Sequence, residues 1–260
     1  MGHVISISNQ KGGVGKTTTA VNLSASLAVA EKKCLLVDCD PQGNATTGLG
    51  IEKAELKNGL YEFILGSAHE EDVITETDLP GLYIIGASVN LIGAEVEMVS
   101  ADDREYRLKK KLLSLRKRYE YIFLDCPPSL GFMTLNALTA ADAVLVPLQC
   151  EYYALEGLTD LLKTVKAVKR GLNPHLELAG ILLTMYDSRN NLSLQVEDEV
   201  RGHFKESVFK TVVPRNVRLS EAPSHGKPVL LYDIKSSGAK SYLALAKEII
   251  GKGTGGYGKA

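Results

Sequence analysis

The nine residues 10–18, with the sequence QKGGVGKTT, constrain the fold of this chain more than any other stretch. A β-type apolar run from His3 to Ser8 leads into them, and a helical pattern with apolar residues every three or four positions covers residues 16–32. A glycine-rich loop between a strand and a helix can surround phosphate oxygens, because glycine lacks a Cβ atom and a helix N-terminus attracts anions. We therefore predict that this loop binds the phosphates of a nucleotide.

The side chains of the loop have separate expected roles. Lys16 supplies a positive charge for the β- and γ-phosphates, and the Thr17 hydroxyl is placed to ligate Mg²⁺. The loop departs from the usual G-x-x-x-x-G-K-[ST] pattern, since Gln10 replaces the first glycine and Lys11 adds a second lysine. For Lys11 the alternative is a solvated loop charge. The predicted nucleotide contacts of the loop are Lys11, Gly12, Gly13, Val14, Gly15, Lys16, Thr17 and Thr18.

The composition limits the classes of function that remain. The chain has 260 residues, of which 45% are hydrophobic, and its formal net charge is −1. This length supports one large core, and the near-neutral charge argues against an obviously basic nucleic-acid binder. A local basic patch, or one assembled by dimerisation, stays open.

Cysteine usage and hydropathy predict the compartment of the protein. None of the cysteines forms a C-x-x-C pair, and three adjoin apolar strand-like runs, so we expect small, buried, reduced residues. They are Cys34, Cys39, Cys126 and Cys150. The chain shows no signal peptide, and no apolar run approaches the roughly 18 residues of a membrane span. We therefore expect a cytoplasmic protein with no membrane partner.

Strand-like and helical patterns alternate along the chain, which predicts an α/β fold: a doubly wound, mostly parallel sheet with helices on both faces. The predicted strands are Val4–Ser8, Cys34–Asp38, Leu82–Gly86, Tyr121–Asp125, Ala143–Pro147, Leu178–Thr184 and Val208–Val213. The predicted helices cover residues 16–32, 58–66, 104–118, 131–140, 154–170, 193–206 and 237–250. We expect a single domain over residues 1–250 and a flexible tail over 251–260.

One segment, residues 51–99, has the weakest pattern. It contains a helix-like stretch from Leu60 to Leu65. Its acidic residues 70–72 are expected to form a solvated surface loop.

Two predicted strands end in carboxylates, where parallel sheets bind ligands. Asp38 and Asp40 are two residues apart, so in a regular strand they share a face and both can approach the Mg²⁺ and γ-phosphate region. Asp125 follows four apolar residues, which is a Walker B pattern for holding Mg²⁺ directly or through water. Pro127 and Pro128 then stiffen a loop that can sense the γ-phosphate. The alternative for the first pair is a role in the turn alone.

Three runs together resemble the deviant Walker A ATPases: KGGVGKTT (11–18), DCDPQGNATTGLG (38–50) and FLDCPPSLG (123–131). Two more, residues 147–157 (PLQCEYYALEG) and 213–224 (VPRNVRLSEAPS), are similar to the ParA/Soj branch of chromosome and plasmid partitioning ATPases. The resemblance extends over residues 1–250 and implies the P-loop NTPase fold of the deviant Walker A class.

The resemblance implies a Mg²⁺-dependent ATPase that is activated by dimerisation. Lys11 matches the signature lysine, which reaches across a dimer to the partner's ATP and neutralises transition-state charge. Lys16 and Thr17 match the phosphate and Mg²⁺ contacts, and Asp125 matches the Walker B residue. Asp40 matches the residue that positions or activates the water for hydrolysis.

The resemblance also implies where the base of the nucleotide lies. Met185, Pro214 and Asn216 match residues near the adenine, and an apolar wall with one amide suits that ring. Without the resemblance, Met185 is predicted to belong to the core.

DNA binding without sequence preference needs only phosphate contacts from lysine and arginine. Arg189 and Arg218 match basic positions implicated in DNA binding in the Soj branch. Arg218 has an alternative role in an ion pair with Glu221. The densest basic run, residues 104–118, is predicted to be a solvated helix face, because Leu108, Leu112 and Leu115 give it one apolar side.

The implied function is a DNA-segregation ATPase. It forms an ATP-dependent homodimer on nucleoid DNA, and a ParB-like centromere-binding partner stimulates its hydrolysis. The main alternative, a MinD-like membrane-associated ATPase, needs a C-terminal amphipathic helix that the sequence GKGTGGYGKA (251–260) does not supply. An iron–sulfur or biotin-pathway relative and a tyrosine kinase of the same superfamily fit the sequence less well. A chromosomal and a plasmid role both stay open.

Overall fold

Seven strands form one sheet in the computed structural model, which describes residues 1–252. They are β1 (His3–Ile7), β2 (Cys34–Asp38), β3 (Ile74–Glu76), β4 (Leu82–Ile85), β5 (Tyr121–Asp125), β6 (Ala143–Gln149) and β7 (Glu177–Thr184). The strand order is β3-β4-β2-β5-β1-β6-β7, and all neighbours are parallel except β3 and β4. The predicted doubly wound, mostly parallel sheet is confirmed.

Helices connect the strands and cover the sheet. In the described part of the chain they are α1 (Lys16–Val29), α2 (Asn44–Gly48), α3 (Leu60–Leu65), α4 (Glu70–Val73), α5 (Leu91–Glu97), α6 (Arg107–Leu115), α7 (Phe132–Ala140), α8 (Ala154–Gly171), α9 (Asn191–Phe204), α10 (Val217–Glu221), α11 (Val229–Tyr232) and α12 (Ser237–Lys252). None of the described helices is long and apolar enough to cross a bilayer.

Successive side chains of each strand point to opposite faces of the sheet, so the strands contribute to two separate apolar cores. On β5, Ile122 and Leu124 belong to the core that contains buried residues of α3, α6, α7 and α8. Phe123 points to the other face, into the core formed with α1 and α12. Both faces are therefore buried, which explains the nearly continuous Val, Ile and Leu content of the strands.

The predicted strand Val208–Val213 was wrong. This segment runs beside β7 and makes only an isolated bridge between Ile181 and Val208. Phe209 N donates to Ile181 O at 2.9 Å and Val213 N donates to Leu183 O at 2.8 Å. Its hydrogen bonds are too intermittent to form a ladder, although Val208, Phe209 and Val213 are buried as in a strand.

The segment 51–99 contains more regular structure than its sequence indicated. Helix α3 has the predicted bounds, but the acidic residues 70–72 lie in α4, and Glu70 pairs with Arg118 at 3.1 Å. The prediction of a loop there was wrong, whereas the predicted solvated surface is confirmed for Glu71 and Asp72, which are exposed. Strand β3 was not predicted, because its three residues are too few for a periodic signal.

Two further predictions concern the cysteines and the C-terminus. All four cysteines are buried and free, as expected. Helix α12 continues to Lys252, so Gly251 and Lys252 are helical rather than part of a tail. Residues 253–260 of the predicted flexible tail lie outside the described residues.

A substitution at Phe123 tests how much the apolar core between the sheet and α1 contributes to stability. Its side chain is fully buried, and its ring stacks on Tyr121 with a centroid distance of 6.2 Å. We expect Phe123→Ala to lower the free energy of unfolding by about 3–5 kcal/mol, because it leaves a cavity. Urea denaturation measures this loss. Leu113→Ala, at a side chain that is 52% exposed, is the control and should change the unfolding free energy by about 0.5 kcal/mol or less. Equal effects of the two variants would contradict the assignment.

Candidate active site

The glycine-rich loop starts at the end of β1, a central strand of the sheet. Gly13 and Gly15 have φ angles of 75° and 87°, in the left-handed region that glycine adopts at little cost. Val14 is buried between them, and its carbonyl oxygen accepts a hydrogen bond from Thr184 Oγ1 at 2.9 Å. The end of β7 therefore fixes the loop at the start of α1.

Lys16 lies in the first turn of α1, and its side chain points back into the loop. Its Nζ donates to the carbonyl oxygen of Lys11 at 2.9 Å. Burial lowers the pKa of the Lys16 ammonium, and the nearby Asp125 carboxylate opposes that shift. A phosphate oxygen carries more negative charge than a carbonyl, so this ammonium is well placed to bind one.

Asp125 lies at the end of β5 and is fully buried. Within residues 1–252, neither carboxylate oxygen has a hydrogen-bond partner. Burial, reinforced by the charge of Asp38, raises the pKa of Asp125 well above its usual value, while the Thr17 hydroxyl and the Lys16 charge offset part of the rise. A buried carboxylate without partners suits a divalent cation, and the neighbouring Thr17 hydroxyl is a second oxygen ligand that Mg²⁺ accepts.

The structure gives different surroundings to Asp38, the last residue of β2, and Asp40, which follows the strand. Asp38 is fully buried, and its Oδ2 accepts hydrogen bonds from Thr46 N at 2.9 Å and Thr46 Oγ1 at 2.8 Å. Asp40 lies beyond the end of the strand, so the alternation rule does not apply to it. Its Oδ1 accepts from Gln42 N at 2.9 Å. Of the two, only Asp40 lines the cavity at the loop, so the prediction that both approach the phosphates fails for Asp38.

Two adjoining cavities meet at the loop. The first cavity has a volume of about 580 Å³, and the second has about 410 Å³. The first is lined by Gly12, Gly13, Gly15, Lys16, Thr17, Thr18, Asp40, Pro41, Gln42, Asn44, Ile92, Pro127, Pro128, Ser129 and Met185. The second is lined by Gly15, Thr18, Thr184, Met185, Val213, Pro214, Arg215, Asn216, Val217, Leu219, Ser220, Pro223 and Tyr242. Together they form a polar pocket continued by a more apolar one.

The three residues predicted to lie near the adenine all line the second cavity. Met185 follows β7 and also lines the first cavity. Its φ of 50° is a left-handed conformation that costs a non-glycine residue about 1–2 kcal/mol. Pro214 forms a bridge with Tyr186 beside it. Asn216 caps α10, since its Oδ1 accepts from Arg218 N at 2.9 Å, and its Nδ2 donates to Ser237 Oγ at 2.7 Å.

Sequence reasoning missed several residues of these cavities. Thr184 and Tyr242 come from β7 and α12, and no local motif marks either. The Tyr242 ring is buried, and its hydroxyl lies 3.2 Å from Thr19 Oγ1 in α1. Gln42 and Asn44 lie within the run 38–50, and that position alone was a signal that they face the site.

Lys11 is exposed and is not among the residues that line either cavity. Its backbone N–H donates to Asn9 Oδ1 at 3.0 Å. Its ammonium forms an ion pair with Glu151, which follows β6. In a single chain, therefore, the side chain of Lys11 does not reach the pocket that its own loop forms.

Arg189 and Arg218 lie on neighbouring segments. Arg215 N donates to Tyr186 O at 3.0 Å, which brings the loop after β7 alongside the segment before α10. Arg189, with 89% of its side chain exposed, makes two hydrogen bonds to Asp187 at 3.0 and 2.9 Å. These bonds lower the pKa of Asp187 to about 2.

The predicted alternative role of Arg218 is present in the structure. Its Nη1 lies 2.8 Å from Glu221 Oε2, and its Nε lies 3.4 Å from Asp233 Oδ2. Both pairs are at the surface, where ion pairs contribute little to stability and where competing anions reach the arginine. The ion pair with Glu221 therefore does not prevent Arg218 from binding a phosphate.

The basic run 104–118 is a solvated helix face, as predicted. Leu108, Leu112 and Leu115 are buried in the core, and Leu113 is exposed. Its cations are largely paired with carboxylates: Arg104 with Glu105, Arg107 and Lys110 with Asp103, Arg116 with Asp142, and Arg118 with Glu70.

Comparisons with known proteins agree with this geometry. A family model described as an AAA domain matches residues 2–178. The chromosome partitioning protein ParA of Myxococcus xanthus is 58% identical over 254 residues, which cover 98% of this chain and 90% of that protein. The sporulation initiation inhibitor protein Soj of Bacillus subtilis is 56% identical over 253 residues, covering 97% and 100%. Cobyrinic acid a,c-diamide synthase from Mycobacterium smegmatis, solved with bound ADP and magnesium, has a TM-score of 0.87 and 36% identity, covering 98% and 97%.

The buried Asp125 carboxylate predicts an unusual pH dependence. Its folded-state pKa lies above the value of about 3.9 in an unfolded chain. The protonated carboxyl therefore favours the folded state at low pH, and this stabilisation is lost as the pH rises through the raised pKa. Without nucleotide and Mg²⁺, we expect Asp125→Asn to melt at least about 3 °C above the natural protein at pH 8.

Thermal melts between pH 5 and pH 8 measure this difference, which should shrink toward the acidic end. Asp198→Asn, at an exposed carboxylate of α9, is the matched control and should not change the profile. A melting difference that is constant with pH would contradict the role of the buried charge.

Proposed function

This chain belongs to the ParA/Soj family of chromosome-partitioning ATPases, and we propose that it uses the ATP cycle to segregate DNA. In this proposal ATP drives formation of a homodimer, the dimer binds DNA without sequence preference, and hydrolysis returns the protein to monomers. The carrying observation is that Lys16 and the unpartnered carboxylate of Asp125 lie together beneath the phosphate loop. That pair suits a nucleotide with its cation.

ATP and Mg²⁺ are the cofactors that fit this site, and the M. smegmatis relative holds ADP and magnesium. Mg²⁺, when bound, offsets the negative charge of the phosphate oxygens. Thr17 would hold it from the cavity wall, and Asp125, which does not line the cavity, would hold it through a water. Lys16 and the backbone N–H groups of the loop bind phosphate oxygens. The first cavity accommodates the phosphates, and the apolar walls of the second, Met185 and Pro214, accommodate the base.

Asp40 is the proposed residue for the attacking water. It lines the first cavity, and the hydrogen bond from Gln42 N fixes one carboxylate oxygen. The carboxylate can accept a hydrogen bond from a water and orient it toward the terminal phosphate. Neither Asp38, which is buried by Thr46, nor Asp125 has an oxygen at the cavity wall.

Two features support a dimer with the nucleotide at its interface. Lys11 lies outside the cavity of its own chain, so a transition-state role for its charge needs a second subunit. Exposed apolar side chains also follow β4, β5 and β6 at the edge of the sheet where the loop lies. We call them the apolar rim; they are Val89, Ile92, Val96, Val99, Leu130, Tyr152 and Tyr153. A second copy that covers this rim removes apolar surface from water.

DNA binding is proposed for the surface that contains Arg189 and Arg218. Both side chains are at least half exposed, and both pair with carboxylates in surface positions from which a phosphate can displace them. A dimer presents each arginine twice. The local positive charge of this surface, rather than the net charge of −1 per subunit, would attract the DNA phosphates.

The remaining parts of the proposal follow the family. A ParB-like centromere-binding protein stimulates hydrolysis, and the protein is cytoplasmic and associated with the nucleoid. Residues 1–250 act as one domain. The MinD-like alternative has no supporting observation in the described residues, because the apolar side chains Tyr242, Leu245 and Ile249 of α12 are buried in the protein.

Retention of the protein on immobilised DNA of random sequence tests the proposal directly. We propose measuring it with ATP, with ADP and without nucleotide. Retention that requires ATP supports the partitioning function. Retention on anionic lipid vesicles but not on DNA would favour the MinD-like alternative instead.

Asp40→Ala is expected to block hydrolysis while leaving ATP binding intact, because Asp40 contacts the water rather than the phosphates. The variant should accumulate as an ATP-bound dimer that still binds DNA, measured by gel filtration with ATP. Lys16→Ala is the comparison variant, which should lose ATP binding and stay monomeric. A monomeric Asp40→Ala protein with normal ATP affinity would contradict the model.

Arg189→Ala and Arg218→Ala are expected to weaken DNA binding while ATP-dependent dimerisation persists. The slope of log affinity against log salt should become shallower by about one for each DNA phosphate that the variant no longer neutralises. Arg118→Ala, which removes an arginine paired with Glu70, is the matched control. DNA affinities equal to those of the control would exclude this surface.

A further inference from the structure

The ion pair between Lys11 and Glu151 joins the phosphate loop to the segment after β6. The side chain of Lys11 is 42% exposed and that of Glu151 is 29% exposed, so the pair lies at the surface beside the apolar rim. In residues 1–252, neither side chain takes part in another ion pair. In the single chain, the Lys11 ammonium thus forms an ion pair with the Glu151 carboxylate alone.

Contacts that do not involve its side chain hold the backbone of Lys11. Its N–H donates to Asn9 Oδ1 at 3.0 Å, and Asn9 Nδ2 donates to Pro147 O in β6 at 2.8 Å. Its carbonyl oxygen accepts from Lys16 Nζ at 2.9 Å. The side chain can therefore exchange partners without any change in the loop.

The space next to this side chain is open. A Cβ atom built on Gly12 or Gly13 would meet no other atom within 4 Å. Both glycines are exposed, and Tyr152 and Tyr153, which follow Glu151, are exposed by 78% and 63%. A second subunit can therefore approach Lys11 and Glu151 together from outside the loop.

We propose that Glu151 is a positioning residue for Lys11: it holds the ammonium on its own subunit in the free protein and releases it to the nucleotide of the partner. The inference rests on the proposed function, because it needs Lys11 to act across a dimer. A polyphosphate carries more negative charge than one carboxylate, so the exchange favours the dimer when the partner contains a nucleotide, and ATP favours it more than ADP.

The ion pair sets a threshold for dimerisation. An exposed ion pair shifts an equilibrium by about two- to five-fold. Each subunit loses one such ion pair when the dimer forms. A variant without the ion pair should therefore have a dimer dissociation constant that is about four- to twenty-five-fold lower. In this way Glu151 keeps subunits apart at concentrations at which free lysines would already promote association.

The test compares Glu151→Gln with Glu156→Gln, which removes an exposed carboxylate in the first turn of α8. Sedimentation velocity with a non-hydrolysable ATP analogue measures the dimer dissociation constant. We expect a decrease of about four- to twenty-five-fold for Glu151→Gln and no change for Glu156→Gln. An unchanged or increased constant for Glu151→Gln would overturn the inference. Glu151→Ala, expected to act in the same direction, decides the result if the glutamine variant does not fold.

The Lys11→Ala background separates this inference from the proposed function. If Glu151 acts through Lys11, Glu151→Gln should have no effect on dimerisation in Lys11→Ala protein, and a persisting effect would overturn the inference. If Lys11→Ala protein dimerises with the affinity of the natural protein, the role of Lys11 across the dimer fails, and the inference fails with it. If Lys11→Ala weakens the dimer, while Glu151→Gln and Glu156→Gln give equal dissociation constants in the otherwise natural protein, the inference about Glu151 fails and the proposed role of Lys11 stands.

Discussion

The buried charge at the end of β5 is the constraint on which the rest of the site depends. Asp125 lies in register with Ile7 of β1 and Asp38 of β2, so the sheet fixes its position from both sides. Its side chain is fully buried, and within residues 1–252 neither carboxylate oxygen accepts a hydrogen bond. Lys16 is close enough to oppose part of the cost. The folded protein therefore holds a carboxylate in an unfavourable state that a cation and a nucleotide relieve together.

The phosphate loop depends on parts of the chain that are distant in sequence. Thr184 at the end of β7 holds the carbonyl of Val14, and Asn9 ties the loop to β6. Met185, next to Thr184, separates the two cavities while staying in a left-handed conformation. One end of β7 thus supports the glycine-rich loop and one wall of each cavity.

Much of this could be predicted from the sequence, because local patterns determine it. The loop 10–18, the strand that ends at Asp125 and the helix from Leu60 to Leu65 all have signals within a few residues. The site depends otherwise on tertiary contacts without such signals. Tyr242 reaches the second cavity from α12. Only the fold shows that the Thr46 hydroxyl donates a hydrogen bond to the Asp38 carboxylate. Periodicity identified Val208–Val213 as buried but could not show that its hydrogen bonds were too few for a strand.

The hydroxyl of Thr46 connects two turns of the molecule. It donates to Asp38 at the end of β2, and it accepts from the backbone N–H of Ala87 at 3.0 Å, in the turn between β4 and α5. The turn that leads to Asp40 and the turn that leads to Ile92 and Val96 are therefore joined through one buried side chain. The two turns are therefore fixed to each other, and the segment that begins α5 has a set position relative to the turn that carries Asp40.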